Sequence, residues 1–255
     1  VSIALGAPGW TDLTSHDVDA AREFYTGLFG WRWVQRCEYS IAFRDDTPVA
    51  GLLKPDSDHI PSAWTLYLEC ESTRRATERI RALGGKVLVP PTETPGREMF
   101  LIAEDPGGAV VGLWEAPENA VFGWARAGAL CWAEVLTRDA SAVDSFYAEL
   151  LGYRQEQIGE PGGEFDFTVW HVGDRPMLGR FESSRSLPAD VPSHWQLYFQ
   201  VNPDHDADAA VAKAQSLGGE VLREPTDSPY GRIAVVRDVV GADFAVIDTD
   251  RRTPE

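Results

Sequence analysis

Lysine is almost missing from this chain: Lys54, Lys86 and Lys213 are the only ones, and arginine fills the other basic positions. Cationic residues of either kind are outnumbered 23 to 40 by Asp and Glu, giving a formal net charge of -17 with no basic stripe to relieve it. Such a surface repels phosphate backbones and anionic bilayers, so nucleic acid and membrane are excluded as expected partners. Long apolar runs are also missing. Nothing approaches the roughly 18 uninterrupted apolar residues of a membrane span, and the start of the chain lacks the basic-then-apolar layout of a secretory signal. The resulting expectation is a cytoplasmic protein. Cysteine is scarce: Cys37, Cys70 and Cys131 cannot all pair and show no CxxC spacing, which argues against a disulfide framework and a structural zinc. No GxSxG elbow is present either, so the commonest serine-hydrolase signature is absent.

What the chain does have is a repeat. Trp10-Thr11-Asp12-Leu13 leads through Asp17 to Phe24-Tyr25 and Leu28-Phe29-Gly30; Trp132-Ala133-Glu134-Val135 leads through Asp139 to Phe146-Tyr147 and Leu150-Leu151-Gly152. A second pair follows in the same order. Trp64-Thr65-Leu66-Tyr67-Leu68 precedes Leu83-Gly84-Gly85, Pro91-Thr92 and Asp105, and Trp195-Gln196-Leu197-Tyr198-Phe199 precedes Leu217-Gly218-Gly219, Pro225-Thr226 and Asp238. Fixed order and spacing over this length mark an internal duplication. The stretch Pro117–Gly128 separates the copies, giving domains at 1–118 and 128–250 joined by a linker at 119–127.

Periodicity supplies the elements. After Asp17 the apolar residues Ala21, Phe24, Tyr25 and Leu28 recur at three- and four-residue steps, one face of a helix that Gly30 can end in the left-handed conformation. The same reasoning predicts helices at 72–83, 140–151 and 205–217. The Gly84-Gly85 and Gly218-Gly219 pairs follow helices rather than open them, so they are stop signals and not dinucleotide-binding loops. Strands are predicted at 39–43, 49–53, 99–103 and 109–114, with counterparts at 165–171, 177–181, 233–237 and 243–247.

The order of first strand, Asp, helix with Phe-Tyr, Leu-x-Gly, then Leu-Gly-Gly, strand, Asp-Pro-x-Gly and last strand resembles the glyoxalase/bleomycin-resistance/dioxygenase (vicinal oxygen chelate) superfamily, twice over. The second copy departs from it in one place, with Asp238-Val239-Val240-Gly241 where the first has Asp105-Pro106-Gly107-Gly108. The resemblance implies an α+β fold of tandem domains: four βαβββ modules forming curved mixed sheets with helices outside. It also implies where a metal would be held, on the first, fifth and eighth strands. Counting back seven residues from Asp17 and Asp139 puts Trp10 and Trp132 at the first position. Alignment gives Thr65 and Gln196 at the second, Gly112 and Ala245 at the third. None of these six side chains supplies the imidazole, carboxylate or thiolate that a catalytic metal needs, so the expectation is no metal and no cofactor.

Residues two apart on a strand share a face, which names what stands there instead. Trp10 shares its face with Asp12 and Thr14; Trp132 with Glu134 and Leu136; Thr65 with Tyr67 and Glu69; Gln196 with Tyr198 and Gln200; and Gly112 with Trp114, whose place Ile247 takes in the second copy. The opposite faces, with Leu13, Val135, Trp64, Leu66, Trp195 and Leu197, suit burial under helices. Indole and phenol rings combined with a few polar groups suit an aromatic or partly apolar small molecule, and glycine or alanine at the third position is expected to open space for it. Asp12 and Glu134 are the candidate hydrogen-bond acceptors or general bases. His16, His59, His171, His194 and His205 are scattered and unrepeated, reading as ordinary histidines. Three functions fit this pattern: a metal-independent protein that binds or sequesters an aromatic natural product or antibiotic, as resistance proteins do; a cofactor-free enzyme or hydroxylase-associated factor acting on a polyketide-like substrate; and a metal-dependent lyase or dioxygenase with other ligands. Because the duplication places both partners of a two-chain assembly in one chain, a monomer is expected to suffice, with dimerisation open.

Overall fold

The computed structural model describes residues 3–185, 187–202 and 205–252. Each half runs through the same elements. The first contains β1 (Pro8–Thr14), α1 (Val18–Phe29), β2 (Arg32–Arg36), β3 (Tyr39–Arg44) and β4 (Thr47–Leu53), then β5 (Ala63–Glu69), α2 (Thr73–Ala82), β6 (Lys86–Glu93), β7 (Met99–Glu104) and β8 (Val110–Glu115). The second contains β9 (Leu130–Thr137), α3 (Ala140–Leu151), β10 (Arg154–Gly159), β11 (Asp166–Val172) and β12 (Arg175–Glu182), then β13 (His194–Gln200), α4 (Ala207–Ser216), β14 (Glu220–Ser228), β15 (Gly231–Arg237) and β16 (Asp243–Asp248). This is the α+β arrangement of four βαβββ modules that the repeat implies. Two eight-stranded sheets result, ordered β2-β3-β4-β1-β5-β8-β7-β6 and β10-β11-β12-β9-β13-β16-β15-β14. Both are mixed: hairpin neighbours run antiparallel, while β1 pairs with β4 and β5 with β8 in parallel.

Local chemistry sets the helix ends where the sequence places them. The Asp17 side chain accepts from Ala20 N and the Asp139 side chain from Ala142 N, satisfying first-turn donors that have no partner inside the helix. Gly30 and Gly152 close the same helices at φ 72 and 76, a left-handed conformation that side-chain-bearing residues resist. Ser72 and Asp206 cap α2 and α4 in the same way. Four strands lay outside the predicted ranges: β2, β6, β10 and β14 are largely exposed outer strands, so none carries the buried apolar alternation that would reveal it.

The chain divides into two compact units, and each takes material from both halves of the sequence. One unit comprises the chain up to Gly9, Thr65–Val121 and Ala133–Gln196; the other comprises Trp10–Trp64, Phe122–Trp132 and the chain from Leu197 onward. Within the second unit α1 lies against α4, and an aromatic core joins Tyr25, Phe29, Trp31 and Trp64 to Phe199 and Phe244, with ring centroids 5.1 to 6.2 Å apart. Within the first unit α2 lies against α3, and Tyr147 packs on Tyr153, Trp170 and Trp195.

The repeated Phe-Tyr and Asp motifs meet here. Asp105 Oδ1 accepts from the backbone N–H groups of Gly107 and Ala109, and its Oδ2 accepts from the Tyr147 hydroxyl at 3.1 Å. Asp238 repeats this, with Oδ1 accepting from Val240 N and Ala242 N and Oδ2 from the Tyr25 hydroxyl at 2.8 Å. The tyrosine of one half therefore ties down the loop of the other. Substituting Val-Val for Pro-Gly in the second loop costs this tie nothing, because Asp and the left-handed glycines Gly108 and Gly241 are kept. Burial pushes the Asp105 carboxyl up to about 6, against the opposing pull of its backbone and Tyr147 hydrogen bonds, and raises Asp238 for the same reason.

Candidate functional site

Alternation along β1 separates buried Thr11 and Leu13 from half-buried Trp10 and Thr14 on the other face. Asp12 lies on that face but is only 8% exposed, and its surroundings explain why. The Trp10 indole N–H is shared between Asp12 Oδ1 at 2.8 Å and the Tyr39 hydroxyl oxygen at 2.7 Å, and the Tyr39 hydroxyl donates to Asp12 Oδ1 at 2.5 Å. Short contacts of this kind to a carboxylate are among the stronger hydrogen bonds available to a protein. Phe122 packs on the Trp10 ring with centroids 5.7 Å apart.

Gly51 makes the trio possible. It pairs with Asp12 across β1–β4 and with Ile41 across β3–β4. A Cβ there would lie 1.8 Å from the Tyr39 hydroxyl and 2.0 Å from Asp12 Oδ1, so any side chain would evict the pair. Tyr39 and Gly51 were not singled out from sequence. A signal existed: a glycine inside a strand marks close approach by another group, though not which one.

The other unit carries a second set of the expected residues. On β5, Leu66 and Leu68 are fully buried while Thr65, Tyr67 and Glu69 are half-buried on the opposite side. Gly112 does not open space as the sequence suggested. The Tyr67 ring lies over it, 2.2 Å from where a Cβ would stand, and Phe100 meets that ring edge-on at 6.2 Å. Trp114 lies over Gly9, its ring 3.1 Å from the corresponding Cβ position. Glu69 pairs in register with Trp114, and its Oε2 accepts the Ala116 N–H at 2.9 Å. Burial is the main cause that lifts its carboxyl to about 7, with Glu115 nearby adding to the rise.

The second half departs from the first at the corresponding register position. Glu134 pairs with Gly179 and Gly179 with Val169, the register that Asp12, Gly51 and Ile41 follow in the first half. Two residues before Val169 stands Phe167 in place of Tyr39, so the hydroxyl is missing. Tyr198 and Ala245, expected to line an opening, are buried with Ile247, and Trp132, Cys131, Ile233 and Val235 pack against them. Here too the alanine opens nothing, because apolar neighbours fill the room. Gln196 is buried, and Gln200 and Glu134 are half-buried. The sequence symmetry is therefore broken at one position of the site: the hydroxyl that Tyr39 supplies in the first half has no counterpart at Phe167 in the second.

Elsewhere, a surface hollow of about 710 Å³ in the unit containing α3 is lined by Asp144, Gln157, Asp166 and Arg180. Arg180 is 2% exposed and spends its donors on Asp144, Asp166, Gln157 and Thr168, which makes it a structural strut between α3 and β11. The histidines are dispersed as expected: His16 contacts the Ile60 carbonyl, and His171 lies between Arg154 and Glu156.

Trp10, Thr65 and Gly112 occupy the first, fifth and eighth strands where a chelate would need hard or nitrogen donors, and the second half offers Trp132, Gln196 and Ala245. Indole, amide and aliphatic groups do not fit a resident metal ion. Among the described residues no group of three or more His, Cys, Asp or Glu is placed to hold one. Nor is any described helix long and apolar enough to cross a membrane.

Residues 7–113 match the family profile of the Glyoxalase/Bleomycin resistance protein/Dioxygenase superfamily, and residues 131–247 that of the Glyoxalase-like domain. The chain belongs to that superfamily. Within it, the chain is similar to the anthracycline biosynthesis protein DnrV of Streptomyces peucetius, at 34% identity over 96% of this chain and 94% of that one. Its fold is shared with the Mn(II)-bound glyoxalase from Novosphingobium aromaticivorans, at 14% identity and a TM-score of 0.65 over 100% of this chain and 87% of that one. It is shared equally with the 2,3-dioxygenase LapB from Pseudomonas sp. KL28, at 14% identity and a TM-score of 0.66 over 96% and 93%. As a vicinal oxygen chelate protein, this chain keeps the scaffold of that superfamily.

Proposed function

We propose that this protein binds an aromatic small molecule of natural-product type without a metal ion, through the face of its first half that carries Trp10 and Asp12. The observation that carries this reading is the Trp10–Asp12–Tyr39 trio built over Gly51. It places two aromatic rings beside a carboxylate whose orientation is fixed by two donors, which suits a flat ligand that stacks and presents a hydroxyl. The similarity to a protein named for anthracycline biosynthesis supports a natural-product ligand. Sequestration of an antibiotic is one use of such binding. A relative named for biosynthesis is also consistent with a second use: cofactor-free chemistry, alone or beside a hydroxylase, in which Asp12 accepts a proton from a polyketide-like substrate.

Quenching of tryptophan fluorescence by a panel of polycyclic phenols and quinones tests the reading. Asp12→Asn is expected to weaken binding at least about tenfold, equivalent to about 1.4 kcal/mol. Glu134→Gln in the second half is expected to change it less than about twofold. Equal losses from both variants, or none from Asp12→Asn, would refute a first-half site. Recovery of the ligand unchanged after prolonged incubation supports sequestration, and conversion abolished by Asp12→Asn supports catalysis.

A further inference from the structure

The unit that holds β5 and β8 carries a half-buried carboxylate with no cationic counterpart. Glu69 makes one hydrogen bond, from Ala116 N, and forms no ion pair among the described residues. Its register neighbour is Trp114, and Tyr67 and Phe100 continue an aromatic strip along the same half-buried face. All three residues are half-buried and keep part of their surface exposed. The titratable groups around Glu69 do not relieve it. Glu115 on β8 accepts from Thr73 N and Oγ1 at the start of α2, and repels Glu69. Cys70 is buried with its thiol pushed up to about 12, hence neutral, and Glu71 is exposed and turned to Arg75. The segment Ala4–Ala7, which hydrogen-bonds to the Glu69 backbone, has no ionisable side chain.

A desolvated carboxylate beside aromatic faces is stabilised by either a proton or a cation, and the rings add attraction for the cation. We propose that Glu69, with Trp114 and Tyr67, forms a binding site for the positively charged nitrogen of an aromatic ligand. Proton and cation compete for the same carboxylate, so cation binding strengthens as the pH rises through the range in which Glu69 ionises. The overall charge of -17 adds long-range attraction for such a ligand. The site lies apart in residue content from the Asp12 trio, and its test does not rest on that reading.

Isothermal titration calorimetry at physiological salt with N-methylacridinium, whose charge is independent of pH, and neutral acridine gives the test. At pH 8 the wild type is expected to bind N-methylacridinium at least about tenfold more tightly than acridine. Because the carboxyl lies near 7, affinity for the cation is expected to fall close to tenfold between pH 8 and pH 6. Glu69→Gln, which keeps an acceptor for Ala116 N, should abolish both the preference and the pH dependence. Glu78→Gln, the same charge change on the exposed face of α2, should leave both intact. Equal affinity for the two probes, a flat pH profile in the wild type, or a preference that survives in Glu69→Gln would each overturn the proposal. The wild-type profile decides even if the variant is poorly folded. Loss of cation preference in Glu69→Gln with binding of polycyclic phenols unchanged separates this site from the Asp12 site.

Discussion

Tyr39 is the residue on which the first-half site turns. Its hydroxyl accepts from Trp10 and donates to Asp12, so removing it leaves a nearly buried carboxylate with one fewer donor and an indole N–H with one fewer acceptor. Losing one partner of a buried charged group costs more than an average hydrogen bond, so Tyr39→Phe is expected to destabilise the protein by about 1–3 kcal/mol in urea denaturation. An unchanged midpoint would mean the trio is not formed in solution. Phe167 shows what the second half does without that hydroxyl, stacking on Phe165 at 6.1 Å. The facing of Trp10 and Asp12 was legible in sequence, since alternation alone sets it. Their partner was not: Tyr39 lies 27 residues from Asp12, and only the β1–β4–β3 register brings them together. The burial of Tyr198 and the cover over Gly112 were hidden for a related reason, because a strand pattern gives the side a residue faces but not what its neighbours fill.

At the scale of elements, the tie between a helix tyrosine and a loop aspartate sets a pH dependence. Asp105 titrates near 6 in the folded protein and near 4 unfolded, so the folded state binds the proton more tightly. A group raised in this way contributes stability that is complete below the unfolded value and is lost as the pH rises through the folded one. A shift of about two units corresponds to about 2–3 kcal/mol. Asp105→Asn cannot ionise, so its stability relative to wild type should improve by about 2 kcal/mol between pH 4 and pH 7, measured by urea denaturation at both. A constant difference across that range would show that Asp105 is not desolvated as described. The helices and their caps were readable because Asp17, Asp139, Gly30 and Gly152 act through neighbours in sequence. The outer strands β2, β6, β10 and β14 were not, since exposed strands owe their shape to hydrogen bonds with β3, β7, β11 and β15 and not to a buried apolar pattern.

For the whole molecule, the central fact is that neither compact unit is built from one half of the sequence. The duplication was legible from repeated motifs, but the pairing of the first and fourth modules, and of the second and third, was not. In one unit Phe29 and Tyr25 from the first half are covered by Phe199 and Phe244 from the second. Expressed alone, residues 1–118 should expose these rings and self-associate or aggregate, whereas co-expression with residues 119–255 should restore a soluble heterodimer. A soluble, monomeric first half by analytical ultracentrifugation would contradict that dependence. The same arrangement supports the proposal that a single chain suffices for folding, because it already supplies both contributors to each unit.

The claim that an old metal-binding scaffold now recognises its ligand through indole, phenol and carboxylate is tested most directly by calorimetric titration of a polycyclic phenol in the presence and absence of EDTA. The account predicts the same affinity with and without the chelator, and a loss of about tenfold or more in Asp12→Asn. Abolition of binding by EDTA with restoration by a divalent metal, or full affinity in Asp12→Asn, would contradict it.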